Sequence, residues 1–465
     1  MKVLVNIVVL CLYVGLTMST TDTYKAGVVT RDTASIDAYA PTIRDAAKSN
    51  VDILVLPPPS MSEISKSSTE PDNYDTIVKT ISAAAKEYSI YVVSHLIEKI
   101  RCQEKTELIR SNLVFNRQGT IISVYRKPQD SAAKCNVTAT EIGSFITDFG
   151  VTFGVLMPED LVLQNLEELK DVRNFVLTGN WRSEIPVLAP PQFFTTWAYT
   201  TGANLVSTSG VFAGKAGRSG SDADVVLAEL KKDGEVSMAH PTTAIKTSYS
   251  DDLSQYTIKP LDLVASSRGV QETVCHGHFC CRFYVKTTSD GSPNSVNYGL
   301  AAFEGIQHYG GQHNIGTQNC ALLPCVGNYK RTCDVGLVNS TTIIFDEIRI
   351  TGNFKLRNSA QYPVIISTDT VSSNQFKFTK RTFNKTSQVS IKLNEAQKLL
   401  NFGIFGRDFS KDHVSDANNY DSDNGLTYNI TDYISSDNVV ELFDYLWIKL
   451  RIPIFIVSIY VLEMM

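Results

Sequence analysis

Between Tyr24 and about Glu304, short apolar runs alternate with amphipathic stretches, and this alternation limits the fold more than any single motif. Tyr39 to Lys48 has helical periodicity and precedes VDILVLP, Thr76 to Tyr88 precedes IYVVSHL, and Leu161 to Asp171 precedes NFVLTGNW. A continuous apolar run reads as a buried strand, and a stripe with a period near 3.6 residues reads as a helix that covers it. The order therefore predicts a layered α/β domain over residues 24–305. Beyond Gly305 the pattern changes to short β-type runs, TTIIFDEIRI, YPVIIST, QFKFTK and SQVSIKL, spaced by Asn, Ser and Gly. A smaller β-rich domain over residues 306–435 is expected there. The length of 465 residues, with 43% hydrophobic residues, suits two or three domains at roughly 150 residues each.

Within the first domain, FGVTFGVLMPED (Phe149 to Asp160) reads as a buried strand, Val151 to Met157, broken by Pro158 and followed by a helical pattern through Leu161, Leu163, Leu166 and Leu169. Strand, sharp turn and helix is an arrangement that lifts a nucleophile off a sheet edge. Pro158 holds the turn here, and proline has neither a titratable group nor a backbone N–H. Proline at the first position of a helix, with Glu159 and Asp160 in its electropositive first turn, is also an ordinary helix start.

YKAGVV, VDILVLPPP, SIYVVSHLIEK, SVYRKPQ, FGVTFG, FFTTWAYTTGANLVSTSG and VCHGHFCC occur in an order and spacing that resembles the biotinidase and vanin branch of the nitrilase (carbon–nitrogen hydrolase) superfamily. The resemblance runs from about Tyr24 to about Asp432. It implies a four-layer α-β-β-α nitrilase sandwich followed by a β-rich domain that partly covers the pocket, with pairing of two copies through the sheets. It also implies a Glu, Lys and Cys triad that hydrolyses linear amides and requires no cofactor. Carried onto this sequence, the lysine is Lys127 in Val124-Tyr125-Arg126-Lys127, the glutamate position is Pro58 in Leu56-Pro57-Pro58, and the cysteine position is Pro158 ahead of Glu159-Asp160.

Loss of both base and nucleophile predicts loss of the chemistry, since removing one member of a comparable triad already costs several powers of ten. Lys127 then lacks its carboxylate. A buried unpaired ammonium is expensive, so it must be solvated, neutralised or paired with a ligand anion, and the expectation is either a small carboxylate or amide compound held at Lys127 or a lysine that reaches solvent. The competing expectation is an active amidohydrolase of the pantetheinase or biotinidase type with a displaced thiol.

The first twenty residues, with Lys2 and an apolar run from Val3 to Leu16, read as a secretory signal peptide cut near Ser19 or Thr20. Asn136, Asn339, Asn384 and Asn429 head Asn-x-Ser/Thr acceptors, so a glycoprotein is expected. The apolar run Ile452 to Leu462, inside the tail 439–465, follows small polar residues around Ser436, and reads as a GPI signal attached at Ser436. A short transmembrane segment or plain secretion are the alternatives. A localisation outside the cell, tethered to the membrane or secreted, follows.

The signal peptide removes Cys11 and leaves Cys102, Cys135, Cys275, Cys280, Cys281, Cys320, Cys325 and Cys333. An even count in an oxidising compartment reads as disulfides, and Cys102 with Cys135 is the expected pair in the first domain. Cys275-His276-Gly277-His278-Phe279-Cys280-Cys281 has the residue types of a zinc site, but disulfides to cysteines downstream are the preferred reading, and no metal is expected. A net charge of −5 excludes a nucleic-acid surface built on a basic stripe. The glycines Gly210, Gly214, Gly217 and Gly220 around Lys215 miss the phosphate-loop spacing and read as a surface loop after the strand NLVSTSGV. His95 reads as a core histidine. Glu159 and Asp160, as helical neighbours, do not face each other and make no acid–base pair.

Overall fold

The computed structural model describes residues 22–412 apart from 31–35, 59–72, 103–104, 129–141, 180–189, 217, 220–224, 235–252, 292–295, 310–312, 328–332, 334–337, 339, 368–374 and 384. The first domain opens with β1 (Thr23–Val29), α1 (Tyr39–Lys48), β2 (Ile53–Val55) and α2 (Asn73–Glu87). A meander follows of β3 (Tyr91–Cys102), β4 (Lys105–Phe115) and β5 (Ile121–Pro128). Next come β6 (Ser144–Ile146), β7 (Thr152–Leu156), α3 (Asp160–Leu163), β8 (Asn174–Leu177) and α4 (Pro190–Thr201). The domain closes with β9 (Asn204–Ser207), β10 (Gly210–Ala213), β11 (Arg218–Ser219) and β12 (Val225–Lys231).

These strands form two six-stranded sheets, ordered β12-β1-β2-β3-β4-β5 and β11-β10-β9-β8-β7-β6. The parallel pairs β1/β2/β3 and β7/β8/β9 are the alternation seen in the sequence, since parallel neighbours need a crossover and helices supply it. Side chains from opposite faces of one strand serve two layers. On β2, Ile53 and Val55 join Val155, Val176 and Val206 between the sheets, while Leu54 packs with Ile43 of α1 and Ile81 of α2. On the far side Leu177 and Leu205 pack against Phe194 and Trp197 of α4. Helices, sheet, sheet and helix make the expected four layers.

α1 has the predicted bounds, and α2 differs from its prediction only at its ends. The helix expected over Leu161 to Asp171 is broken. It stops at Leu163, Gln164 turns extended, and Asn165 Oδ1 accepts from the Glu167 amide to start a separate 3₁₀ turn, Leu166–Leu169. Asparagine competes for backbone donors in this way and favours caps over helix interiors. The glycine stretch, expected as a surface loop after the strand NLVSTSGV, stays in strand two residues longer, to Ala213. Gly210–Ala213 is a buried strand, and Gly214, at φ 47°, turns against the Gly234 carbonyl, where a Cβ would meet backbone oxygen at 2.5 Å.

The strands from Thr257 onward pair among themselves in two five-stranded antiparallel sheets. The change from α/β to β-rich therefore falls between Lys231 and Thr257, earlier than the expected boundary at 305, because VCHGHFCCRFYV forms two exposed-and-buried alternating strands and the helix before them, Leu263–Ser266, is a single turn. One of these sheets lies on α4, with Phe193 edge-on to Tyr362 at 5.2 Å. No described helix is long and apolar enough to cross a membrane.

Three disulfides tie the β-rich region: Cys275–Cys280, Cys281–Cys320 and Cys325–Cys333. Cys281 finds a partner downstream as expected, but Cys275 pairs within its own cluster. Oxidised sulfur is no thiolate ligand, so the zinc reading of this cluster fails. Cys102 ends β3, and its expected pairing with Cys135 lies outside the described residues, as do residues 1–20 and 439–465, the acceptors Asn136, Asn339, Asn384 and Asn429, and Ser436.

Candidate functional site

The carboxyl ends of β2, β7 and β8 meet beside the middle of β3 and β4, at the kind of edge where open α/β sheets commonly place ligands. β2 continues through Leu56-Pro57-Pro58. Its Leu56 amide donates to the Val93 carbonyl at 2.9 Å, and Thr178 Oγ1 donates to the Leu56 carbonyl at 2.8 Å. Pro57 and Pro58 are buried. Thus the glutamate position implied by the resemblance is held firmly in place and holds an imino acid.

β3, β4 and β5 add two transverse rows. His95, Asn112 and Tyr125 are direct register partners, and two residues along, Ile97, Arg110 and Lys127 are partners. Arg110 and Lys127 thus stand side by side, and like charges directly opposite are destabilising unless anions intervene. The turn after β7 supplies them. The Asp160 amide donates to the Met157 carbonyl at 3.0 Å, closing a β-turn with Pro158 at its second position, where the ring's fixed φ fits. The helix begins only at Asp160, so Pro158 is a turn residue and not the first helical residue expected from sequence.

Glu159 Oε1 lies 2.6 Å from Arg110 Nη1, and Asp160 Oδ1 receives Lys127 Nζ. Asp160 Oδ2 accepts the Met157 amide at 2.7 Å. Asp160 is fully buried and the Lys127 side chain is 18% exposed, so this ion pair is largely out of water. The expectation of an unpartnered Lys127 is therefore wrong. Successive turn residues point in different directions, and that divergence, which prevents Glu159 and Asp160 from forming an acid–base pair, lets each reach a different strand. Burial is the largest influence on the Asp160 carboxyl and pushes it up, against the pull of Lys127. Both of its oxygens accept, which the ionised form satisfies. For Glu159 burial also acts upward, but Arg110 and Lys127 outweigh it and hold the carboxyl below its usual range.

His95 is buried, as expected of a core histidine. Asn112 Nδ2 donates to the carbonyls of Leu156 at 2.8 Å and Thr178 at 3.2 Å, so its Oδ1 faces His95 Nδ1, 2.7 Å away. An amide oxygen can only accept, and Nδ1 must carry the proton. Nε2 then holds a lone pair and makes no hydrogen bond to a described residue. A Cβ on Gly179, whose φ is 134°, would lie 3.1 Å from Pro158 Cδ and 3.4 Å from His95 Cε1, so the glycine lets ring and proline approach.

Burial pushes His95 down to about 4. The unfolded chain titrates near 6.5, so between the two values it binds a proton that the folded state refuses, and stability falls as pH drops through that window. At about 1.4 kcal/mol per pH unit, wild type is expected to lose about 3 kcal/mol more between pH 7 and pH 4 than His95→Asn, by urea denaturation at each pH. Equal losses in the two proteins contradict this.

The structure links Lys127 to the Pro158 turn through Asp160, and Pro58 lies two residues beyond Leu56, whose carbonyl accepts from Thr178. It adds Arg110, Asn112 and Thr178, which sequence reading passed over. Their signal was present in LIRSNLVF, where Arg110 and Asn112 occupy alternate positions of an apolar strand and so share its inner face. Chemically, the arrangement orders two cation–carboxylate pairs and a neutral imidazole. Neither proline position offers a group that can attack a carbonyl or take a thiol's proton.

Residues 24–145 match the carbon–nitrogen hydrolase family model, and residues 245–412 match the vanin C-terminal domain. The chain is 25% identical to vanin-like protein 1 of Drosophila melanogaster, over 84% of this chain and 86% of that protein. It is 24% identical to the pantetheinase of Canis lupus familiaris, over 78% and 76% of the two chains, and 24% identical to that of Homo sapiens, over 73% and 72%. Among solved structures, the carbon–nitrogen hydrolase from Helicobacter pylori G27 superposes with a TM-score of 0.34 and 18% identity, over 46% of this chain and 90% of that one. Residues 24–145, which hold most of the first sheet, match one family model, the β-rich region matches the other, and vanin-like and pantetheinase relatives align over most of the chain: the chain belongs to the vanin branch of the carbon–nitrogen hydrolase superfamily.

Proposed function

We propose that this chain has lost the amide hydrolysis of its family and serves as a binding or scaffold protein. The reading places it outside the cell, glycosylated and tethered to the membrane by a lipid anchor or secreted. The observation that carries the loss of activity is the pair of buried prolines at the base and nucleophile positions. The cysteines support it, since all six whose side chains are described are in disulfides and none is a free thiol.

A small carboxylate on Lys127 loses its physical reason once Asp160 neutralises the ammonium. A neutral amide is the ligand class that remains. The pantetheinases among the relatives favour the second reading, an active amidohydrolase.

Pantetheine offered to the purified glycoprotein separates the two readings, with free cysteamine followed by chromatography and iodoacetamide as a thiol probe. Release no faster than in a heat-treated control is expected, with no cysteine acylated by the pantothenoyl group. Turnover accompanied by labelling of one cysteine would establish the enzyme instead.

A further inference from the structure

Cys275 and Cys280 are direct register partners on the strands Val270–His276 and Phe279–Ser289. Gly277 and His278 alone form the turn between His276 and Phe279, with Gly277 at φ 60°. Glycine with positive φ at the first position is what a two-residue hairpin turn of the II′ kind requires. The turn already brings the two cysteines together, so the covalent bond, which spans five positions, removes little freedom from the unfolded chain. Both residues are exposed. The other described pairs are buried, with Cys281 and Cys320 at 0%, Cys325 at 3% and Cys333 at 5% exposure. Cys281–Cys320 spans 39 positions and joins the facing sheets.

A disulfide that adds little to the fold and lies open to solvent is the kind that undergoes exchange. We infer that Cys275–Cys280 is a thiol–disulfide exchange site for small-molecule thiols. A thiolate attacks one exposed Sγ, a mixed disulfide forms, the bond between the cysteines breaks, and the other sulfur leaves as a thiolate that takes a proton from water. A second thiol resolves the mixed disulfide. Two small thiols become one small disulfide while the protein pair becomes two thiols, so two electrons pass to the protein, and the reverse reaction oxidises it again. The buried pairs hold the sheets throughout.

The test incubates the folded full chain in graded reduced and oxidised glutathione, quenches with iodoacetamide and locates the label by peptide mass spectrometry. Cys275 and Cys280 are expected to label at a glutathione concentration at least about tenfold below that needed for Cys281, Cys320, Cys325 and Cys333. Cys280→Ser is expected to accumulate glutathione on Cys275. A Cys275→Ser, Cys280→Ser double variant is expected to melt within a few degrees of wild type. Labelling of the hairpin pair no earlier than the buried pairs overturns the inference. So does a double variant that fails to fold, because the bond is then structural.

Discussion

Asp160→Asn is expected to lower the free energy of unfolding by about 3 kcal/mol, because removing one partner of a buried ion pair leaves the other charge uncompensated. The replacement keeps an oxygen to accept the Met157 amide, which Asp160 Oδ2 now does at 2.7 Å. What is lost is the anion facing Lys127. The lower end of the usual cost applies because that lysine keeps 18% of its side-chain surface. Lys127→Met leaves Asp160 fully buried without its cation and is expected to cost a similar amount. The double variant removes both charges and is expected to recover part of the loss, giving a coupling energy of about 1–3 kcal/mol in a urea-denaturation cycle. Additive losses would mean that the pair does not interact, and Lys127 would again be open to a ligand anion.

Arg407→Met carries the second large effect. The guanidinium is fully buried, donates to the Val162 carbonyl at 2.7 Å and to the Gly316 carbonyl, and pairs with Asp412 at 2.6 Å. Methionine fills much of the volume but supplies no donor, so two carbonyls and a carboxylate lose their partner. A cost of at least about 3 kcal/mol is expected. Val162 lies in α3, two residues after Asp160, so the β-rich region fastens the helix that leaves the Pro158 turn. Amide exchange at Val162 and Leu163 is therefore expected to quicken in the variant more than exchange in α1. Uniform acceleration across the chain would show that Arg407 stabilises the fold without fastening that turn.

The layered architecture was legible because parallel strands buried on both faces leave continuous apolar runs, and VDILVLP and NFVLTGNW are such runs. The two prolines could be read from the resemblance because Pro58 and Pro158 follow recognisable apolar strands, and the retained Lys127 is the last but one residue of its strand. The partner of Lys127 was not. It depends on the register Arg110↔Lys127, which places two cations together, and on the turn from Met157 to Asp160, which sends successive carboxylates to different strands. Register is set by tertiary packing and leaves no local sequence mark. The domain boundary was displaced for a related reason. An amphipathic strand such as Phe279–Ser289 alternates like any half-buried strand, and nothing local says which sheet it will join.

The most direct test of catalytic silence is an acid quench of the protein mixed with excess pantetheine, followed by intact-mass measurement within the first turnover. The geometry at Pro58 and Pro158 predicts no mass increase equal to the pantothenoyl group at any time point. A mass increase equal to the pantothenoyl group, on any residue, would contradict it.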